Sequence, residues 1–292
     1  MKNNKQELQL IDITPKSAGQ VQGSRKRTDK RQGWKKIVRG VFLTVSILLL
    51  AYVSLVGLIL YRQNHPEKVD FDKLKAGHSN SIQSSISRAN SLEKEMEALL
   101  ERNEETKDFV ENYTNREDYI GKEIDLSKDV EEGQVPLLMQ WDKRWGYESF
   151  GDSNIGLAGC GPTCLSMAYL YFTNDLEGNP REIARYCEEN GFYTSAGTSW
   201  ELWTLGAEAF GLEGAVLPLD ENRMKSALDA GQLIVCSMRP GDFTTTGHYI
   251  LIVGYGDGGF RVNDPNRRSN SEKVWEYDVL DGQIRNLWSI GE

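Results

Sequence analysis

The sequence predicts an α+β domain that is preceded by one transmembrane helix and a helical stalk. Three observations support this prediction. Beyond residue 133, helical patterns come first and strand patterns follow, which favours an α+β domain over a doubly wound sheet. Nearer the N-terminus lies a run of 22 residues without a charged side chain, and a stripe of apolar residues at helical spacing follows it.

The uncharged run extends from Gly40 to Tyr61 and is rich in Leu, Val and Ile. As a helix rising 1.5 Å per residue it would be roughly 33 Å long, enough to cross a hydrocarbon core about 30 Å thick. It is longer than the apolar region of a cleaved signal peptide, and it starts well inside the chain. We therefore expect residues 40–62 to form an uncleaved transmembrane signal anchor.

The charge of the chain changes sign across this run. Residues 1–40 contain eleven basic and three acidic side chains, whereas residues 63–292 contain 22 basic and 40 acidic ones. Basic flanks stay on the cytoplasmic side of a membrane. The sequence thus predicts a single-pass protein of the cell membrane, with residues 1–39 as a basic cytoplasmic tail and the C-terminal domain extracellular.

Residues 63–132 predict an acidic helical stalk. Apolar side chains recur there three and four residues apart and stop before Asn103; they are Ile82, Ile86, Ala89, Leu92, Met96 and Leu99. Such a stripe is typical of one face of a helix. A solvated stalk helix and a weak dimer through the stalk both fit this pattern, which is too short to establish sustained heptads.

Residues 133–292 predict one domain, and they contain six of the seven Trp residues. Helices are expected near 161–171, 180–189, 199–210 and 221–230, and strands at 233–238, 248–255 and 259–262. The turn at 257–259 joins the last two strands as an antiparallel hairpin.

Histidine is scarce in this domain, which excludes the usual His-rich catalytic zinc site. His65 and His78 lie in the stalk, so His248 is the only imidazole of the domain. No Cys-x-x-Cys pair occurs, the basic residues are scattered, and the glycine-rich stretch 254–259 lies between two strands rather than before a helix. We expect no metal, no cofactor and no nucleic-acid partner.

One cysteine occupies a position that suits a nucleophile. Cys160 stands in the motif Gly-Cys-Gly-Pro-Thr at 159–163, where a helix is expected to begin. Free N–H groups and the positive end of a helix favour a thiolate, and the flanking glycines would let a substrate approach. A small buried residue before a helix is the structural alternative.

His248 and Asp264 are the candidate partners of this thiol. His248 opens an apolar strand, where its ring can meet the start of a helix across a cleft. Asp264 ends the neighbouring strand of the predicted hairpin, so it would lie near His248 and orient the ring. A turn-capping Asp before Pro265 is the alternative for that residue. Cys, His and Asp in this order indicate a nucleophilic triad more specifically than any one of them alone.

Four motifs in this order resemble a known family. They are Gln-Trp-Asp-Lys-Arg-Trp at 140–145, Gly-Cys-Gly-Pro-Thr at 159–163, Gly-His-Tyr at 247–249 and Asn-Asp-Pro at 263–265. They are similar to the stand-alone branch of the bacteriocin-leader-processing (double-glycine) peptidases, which are papain-like cysteine peptidases, and the likeness covers about residues 135–292.

The resemblance implies a papain-like fold, with a helical part followed by an antiparallel sheet, and a peptide or protein substrate. It also implies Cys160 as the nucleophile, His248 as general base and acid, and Asp264 as the residue that orients His248. Gln140 would donate to the oxyanion beside the backbone N–H of Cys160.

Gln140 and the other cysteines raise further structural questions. Gln140 lies far before Cys160, so residues 146–158 would have to loop out; capping a cluster of Trp141 and Trp145 is its alternative role. Cys164 follows Cys160 by one helical turn and is expected to serve packing. A second nucleophile and a disulfide to Cys160 are the alternatives. The two remaining cysteines are either buried thiols or a pair; they are Cys187 and Cys236.

The sequence thus predicts a membrane-anchored, extracytoplasmic cysteine peptidase that hydrolyses peptide bonds through a thioester. A double-glycine leader is a poor candidate substrate, because the leader-processing enzymes act in the cytoplasm beside an exporter. Three alternatives use the same residues: a cell-wall peptide hydrolase, a peptidyl transferase, and a weak or inactive module that only binds peptides.

Overall fold

The structure is a computed structural model that describes Tyr52, Ser54, residues 86–195 and residues 197–292, with the backbone alone described for residues 86–91 and 93. The residues from 86 onward belong to one compact unit. Apart from Tyr52 and Ser54, the predicted anchor at 40–62 lies outside the described residues. Within the described part of the chain, no helix is both long and apolar enough to cross a membrane.

Helices and strands are mixed along the described chain. The helices are α1 (Ile86–Arg102), α2 (Lys107–Glu111), α3 (Ile155–Ala158), α4 (Cys160–Thr173), α5 (Pro180–Glu189), α6 (Leu205–Ala209), α7 (Glu221–Asp229), α8 (Arg268–Ser271) and α9 (Tyr277–Asp281). The strands are β1 (Ser149–Phe150), β2 (Ser153–Asn154), β3 (Tyr193–Thr194), β4 (Gly197–Thr198), β5 (Glu213–Val216), β6 (Leu233–Met238), β7 (His248–Gly256), β8 (Gly259–Asn263), β9 (Val274–Trp275) and β10 (Ile284–Gly291). Short 3-10 helices occupy Glu104–Thr106, Tyr113–Asp118 and Trp200–Trp203.

The main sheet has six antiparallel strands in the order β5-β10-β6-β7-β8-β9. Every residue of β6 is buried, and its register pairs Met238 with His248 at the start of β7. β7 and β8 form the predicted hairpin, which turns at Gly258 and Gly259 with φ of 93° and 134°. These are backbone conformations that glycine adopts without a steric penalty. The hairpin therefore brings the end of β8 back towards the start of β7.

The central helix α4 begins at the candidate nucleophile, Cys160. All residues from Gly161 to Leu170 are buried, and the helix packs against α5 and β7. Pro162 occupies the first turn, where its missing N–H removes no hydrogen bond of the helix. Burial on all sides fixes the helix, so the position of Cys160 next to the sheet is fixed as well.

The structure divides the helix predicted over 199–210 into the 3-10 helix Trp200–Trp203 and α6. The break lies at Thr204, whose φ of −121° and ψ of −80° are not helical. The reason lies in β5: a Cβ atom on Gly214 would stand 1.7 Å from the Trp203 carbonyl oxygen. In a continuous helix the Trp203 carbonyl would accept a hydrogen bond from the backbone N–H four residues later. β5 packs directly against that carbonyl.

Part of the predicted stalk, residues 63–132, packs on the domain instead of standing free in solvent. The apolar stripe ends at Asn103, as the sequence indicates, and α1 ends with it. Met96 and Leu99 of that stripe are buried in a cluster with Phe109, Tyr113 and Tyr147. In its last two turns, the apolar side chains Met96 and Leu99 are covered by the chain itself, whereas Glu101 and Arg102 remain exposed.

Candidate active site

A cavity of about 350 Å³ lies at the N-terminal end of α4. Its lining includes Gln140, Cys160 and His248, together with the loop 241–247 that precedes β7. Three of the four site residues predicted from the sequence therefore line one cavity. The fourth, Asp264, is fully buried and hydrogen-bonded to His248.

Cys160 is the partly exposed thiol of this site. Cys164, Cys187 and Cys236 are buried, and all four cysteines are free thiols. Burial raises the pKa of each of the three buried thiols above its ordinary value. Of the described cysteines, Cys160 is thus the one that a reagent or substrate in the cavity can reach.

The glycines beside Cys160 serve packing, and the expectation that they leave room for a substrate is corrected. A Cβ atom on Gly161 would lie 2.5 Å from Thr198 Oγ1, and one on Gly159 would lie 2.5 Å from a side-chain carbon of Ile155. At both glycines the space that a side chain would need is therefore filled by other residues of the chain. The β3–β4 hairpin packs against the first turn of α4 at the site where a side chain would otherwise stand.

His248 and Asp264 form a buried pair. The His248 Nε2 atom lies 2.7 Å from Asp264 Oδ1. His248 is the first residue of β7 and Asp264 follows the last residue of β8, so the hairpin register brings the two together. Because Nε2 faces the carboxylate, Nδ1 is the ring nitrogen left for the sulfur of Cys160, which interacts with the ring.

The Asp264 carboxylate accepts hydrogen bonds at both oxygens. Oδ1 accepts from the backbone N–H groups of Asn266 and Arg267 at 2.8 and 3.2 Å, besides the contact with His248. Oδ2 accepts from Asn270 Nδ2 at 2.7 Å. Asn270 was not predicted from the sequence, because it stands in no motif and reaches the site only through the fold of α8.

These contacts decide the protonation states of the pair. Burial acts to raise the pKa of Asp264, but the charge of His248 and the hydrogen bonds hold it below its ordinary value. Burial also disfavours the charged form of His248, yet the carboxylate of Asp264 and the sulfur of Cys160 raise its pKa to about 10. The pair is thus a carboxylate and an imidazolium near neutral pH.

Gln140 is hydrogen-bonded both to α3 and to the loop that follows β8. Its Nε2 atom donates to the Gly156 carbonyl at 2.9 Å, and its backbone N–H donates to the Pro265 carbonyl at 2.7 Å. Its Oε1 atom is buried without a hydrogen-bond partner. Residues 146–158, which had to loop out for Gln140 to reach the site, form the β1–β2 hairpin and α3.

Two residues of the cavity lining come from a segment that the sequence analysis did not connect with the site. Leu99 and Arg102 of α1 line it, although they lie in the segment assigned to the stalk. The apolar stripe that stops before Asn103 indicates a helix here, but no pattern in the sequence indicates its contact with the cavity. Within the described residues, no three His, Cys, Asp or Glu side chains come together as a metal site.

Comparison with known families identifies the family of the chain. The Peptidase_C39 like family matches residues 132–290, more than half of the chain. The chain belongs to this family. Membership indicates a cysteine peptidase, and peptides as the class of substrate. The C39-like region contains Gln140, Cys160, His248 and Asp264, but α1 lies outside it.

Among solved structures, the chain is similar to a crystal structure of a proposed C39-like peptidase from Bacillus anthracis. The two chains are 15% identical, the match covers 55% of this chain and 96% of the other, and the TM-score is 0.33. At these values the likeness supports no inference about substrate or mechanism. No curated protein matches the chain.

Proposed function

We propose that residues 133–292 are a papain-like cysteine peptidase domain, from the stand-alone branch of the double-glycine peptidases. This domain hydrolyses peptide bonds through Cys160, His248 and Asp264. The main support is the buried His248–Asp264 pair, whose imidazole shares a cavity with the one accessible thiol of the described chain. Together the two residues supply the base that a thiol nucleophile requires.

In the first half of the reaction, the Cys160 sulfur attacks the carbonyl carbon of the scissile bond. A C–S bond forms and the carbonyl oxygen becomes an oxyanion. When the oxyanion collapses, the C–N bond breaks and the His248 imidazolium gives its proton to the leaving amine. The acyl part of the substrate remains on Cys160 as a thioester, and His248 is left neutral.

In the second half, neutral His248 takes a proton from a water molecule, whose oxygen attacks the thioester carbon. The C–S bond breaks, the acid is released, and the thiolate and imidazolium are restored. Asp264 keeps Nε2 of the ring in place throughout, so that Nδ1 faces the sulfur and the water. No other group has to accept or supply a proton.

Gln140 is the proposed side-chain donor to the oxyanion. Its Nε2 atom has two hydrogens, and the contact with the Gly156 carbonyl uses one of them. The second hydrogen is available to an oxyanion beside Cys160, with the backbone N–H of Cys160 as the other donor. Burial of Gln140 fixes the amide, which is what stabilisation of a developing charge requires.

The proposal is tested with the full-length chain and a library of peptides analysed by mass spectrometry. We expect cleavage by the wild type and by a Cys187→Ala control, which removes a buried thiol, but not by Cys160→Ser or His248→Ala. Cleavage that survives Cys160→Ser would contradict the proposal. Labelling of Cys160 by a thiol reagent without hydrolysis of any peptide would favour a transferase or a binding module.

We further propose that residues 40–62 anchor this domain to the cell membrane, with residues 1–39 in the cytoplasm and the peptidase domain outside. The uncharged run and the change of charge across it support this topology. A protease added to intact cells should remove the C-terminal domain, whereas a cytoplasmic control protein stays intact. Protection of the domain until the cells are lysed would contradict the orientation.

A further inference from the structure

α1 lies before the region that matches the family, yet it forms one wall of the cavity that contains Cys160. Leu99 and Arg102 both line this cavity. Leu99 is buried and joins the apolar part of the lining with Leu157 and Phe243. Arg102 is exposed and ends the helix. The helix therefore adds an apolar side chain and a cation to a site whose nucleophile lies on α4.

The C-terminal end of α1 is fixed against the loop that follows Asp264. Asn103 Nδ2 donates to the Asn266 carbonyl at 2.6 Å, and the side chain of Arg267 donates to the Arg102 carbonyl. The Glu105 carboxylate accepts from the backbone N–H groups of the next two residues, Arg268 and Ser269, at 2.6 and 3.0 Å. The backbone at Arg102 is thus tied to the loop 266–269, two residues of which also line the cavity.

Three ionic side chains besides His248 line the cavity, and two of them are cationic. Arg267 lies close to the carboxylate of Glu105, which offsets part of its charge. Asp242 accepts a hydrogen bond from Gln283 Nε2 at 2.7 Å. No ion pair of Arg102 occurs among the described residues. Arg102 thus brings a guanidinium to the cavity of an otherwise acidic domain, since residues 133–292 contain 12 basic and 22 acidic side chains.

We propose that Arg102 is a specificity-determining residue, which makes the cleft select peptides that carry a carboxylate close to the scissile bond. This inference rests on the proposed function, because it assigns a substrate preference to that same site. The guanidinium attracts an anionic group into the cavity and leaves a cationic one less favoured. Leu99 places an apolar surface next to that charge, so the preferred acidic group stands beside an apolar part of the substrate.

The test uses two thiol reagents of nearly equal size, iodoacetate and iodoacetamide, on the full-length chain. Both alkylate Cys160 by forming a C–S bond and releasing iodide, but only iodoacetate is an anion. The ratio of their second-order rate constants therefore reports the potential at the sulfur. We expect Arg102→Gln to lower the ratio of iodoacetate to iodoacetamide about 3- to 10-fold and Arg102→Glu to lower it further.

Two control variants test whether the ratio depends on a positive charge at position 102 rather than on the guanidinium itself or on any cation of α1. Arg102→Lys should keep the ratio of the wild type. Lys94→Gln removes an exposed cation of the same helix outside the cavity and should also leave the ratio unchanged. An unchanged ratio in both Arg102→Gln and Arg102→Glu would overturn the inference while the proposed function stands. Absence of any alkylation at Cys160 in the wild type would overturn the proposed function, and the inference with it.

Discussion

The Asp264→Asn variant tests whether a carboxylate holds His248 in its charged form. The substitution keeps the shape of the side chain and can keep the hydrogen bonds to the backbone N–H groups of Asn266 and Arg267. It removes the negative charge that lies 2.7 Å from the ring of His248. In the folded variant, burial still lowers the pKa of His248, but the carboxylate of Asp264 no longer raises it. We therefore expect the pKa of His248 to fall.

The loss of unfolding free energy in Asp264→Asn depends on pH. The pKa of His248 is about 10 in the folded chain against an ordinary 6.5, so its stabilising effect is complete below pH 6.5 and is lost as the pH rises towards 10. The pKa of Asp264 is lowered, so its effect is complete above the ordinary 3.8 and is lost in more acidic solution. Breaking a buried pair costs about 3–5 kcal/mol of unfolding free energy. We therefore expect a loss of about 3 kcal/mol at pH 6, which shrinks as the pH rises towards 10 by at most about 1.4 kcal/mol per pH unit until it is gone.

Urea unfolding of the full-length chain in detergent, followed by Trp fluorescence at pH 6, 7.5 and 9, measures this difference. Asp242→Asn is the matched control, because it removes an exposed carboxylate of the same cavity that is bonded to Gln283. For Asp242→Asn we expect no dependence of the stability difference on pH over this range. A difference between wild type and Asp264→Asn that stays constant from pH 6 to pH 9 would refute the reasoning.

Three further predictions address the nucleophile and its surroundings. Gly161→Ala should lower the unfolding free energy by about 1–3 kcal/mol, because its methyl group would stand 2.5 Å from Thr198 Oγ1. The control Gly282→Ala adds a methyl group in open space and should leave the melting temperature unchanged. Gln140→Ala should lower kcat about 10²- to 10³-fold with little change in KM, and an unaltered kcat would exclude it as the oxyanion donor. Iodoacetamide at neutral pH should add one group to the folded chain, at Cys160; adducts on the buried cysteines would contradict their burial.

Local patterns in the sequence predicted the parts of the fold that depend on neighbouring residues. α5 spans the predicted residues 180–189, β6 spans 233–238, and α4 begins at the Gly-Cys-Gly-Pro motif. The contact of His248 with Asp264 was also predictable, because a tight hairpin determines which residues of its two strands meet. In each case the decisive residues lie fewer than about 20 positions apart.

Contacts between distant segments were not predictable from such patterns. β5 is largely exposed and short, and β10 lacks a regular alternation of buried and exposed residues, so neither strand stands out before they pair with each other. The contact of Asn103 with Asn266 joins residues 163 positions apart. The apolar stripe of α1 indicated a helix but not its partner, and for that reason the role of Leu99 and Arg102 in the cavity required the structure.

Intact-mass spectrometry of an acyl-enzyme tests the central claim most directly. The full-length chain is mixed with an activated peptide ester and quenched within milliseconds to seconds, and the modified residue is identified by digestion. The account predicts one acyl group on Cys160 in the wild type, none in Cys160→Ser, and strongly slowed acylation in His248→Ala. Acylation of a different residue, or equal rates in the wild type and His248→Ala, would contradict the account.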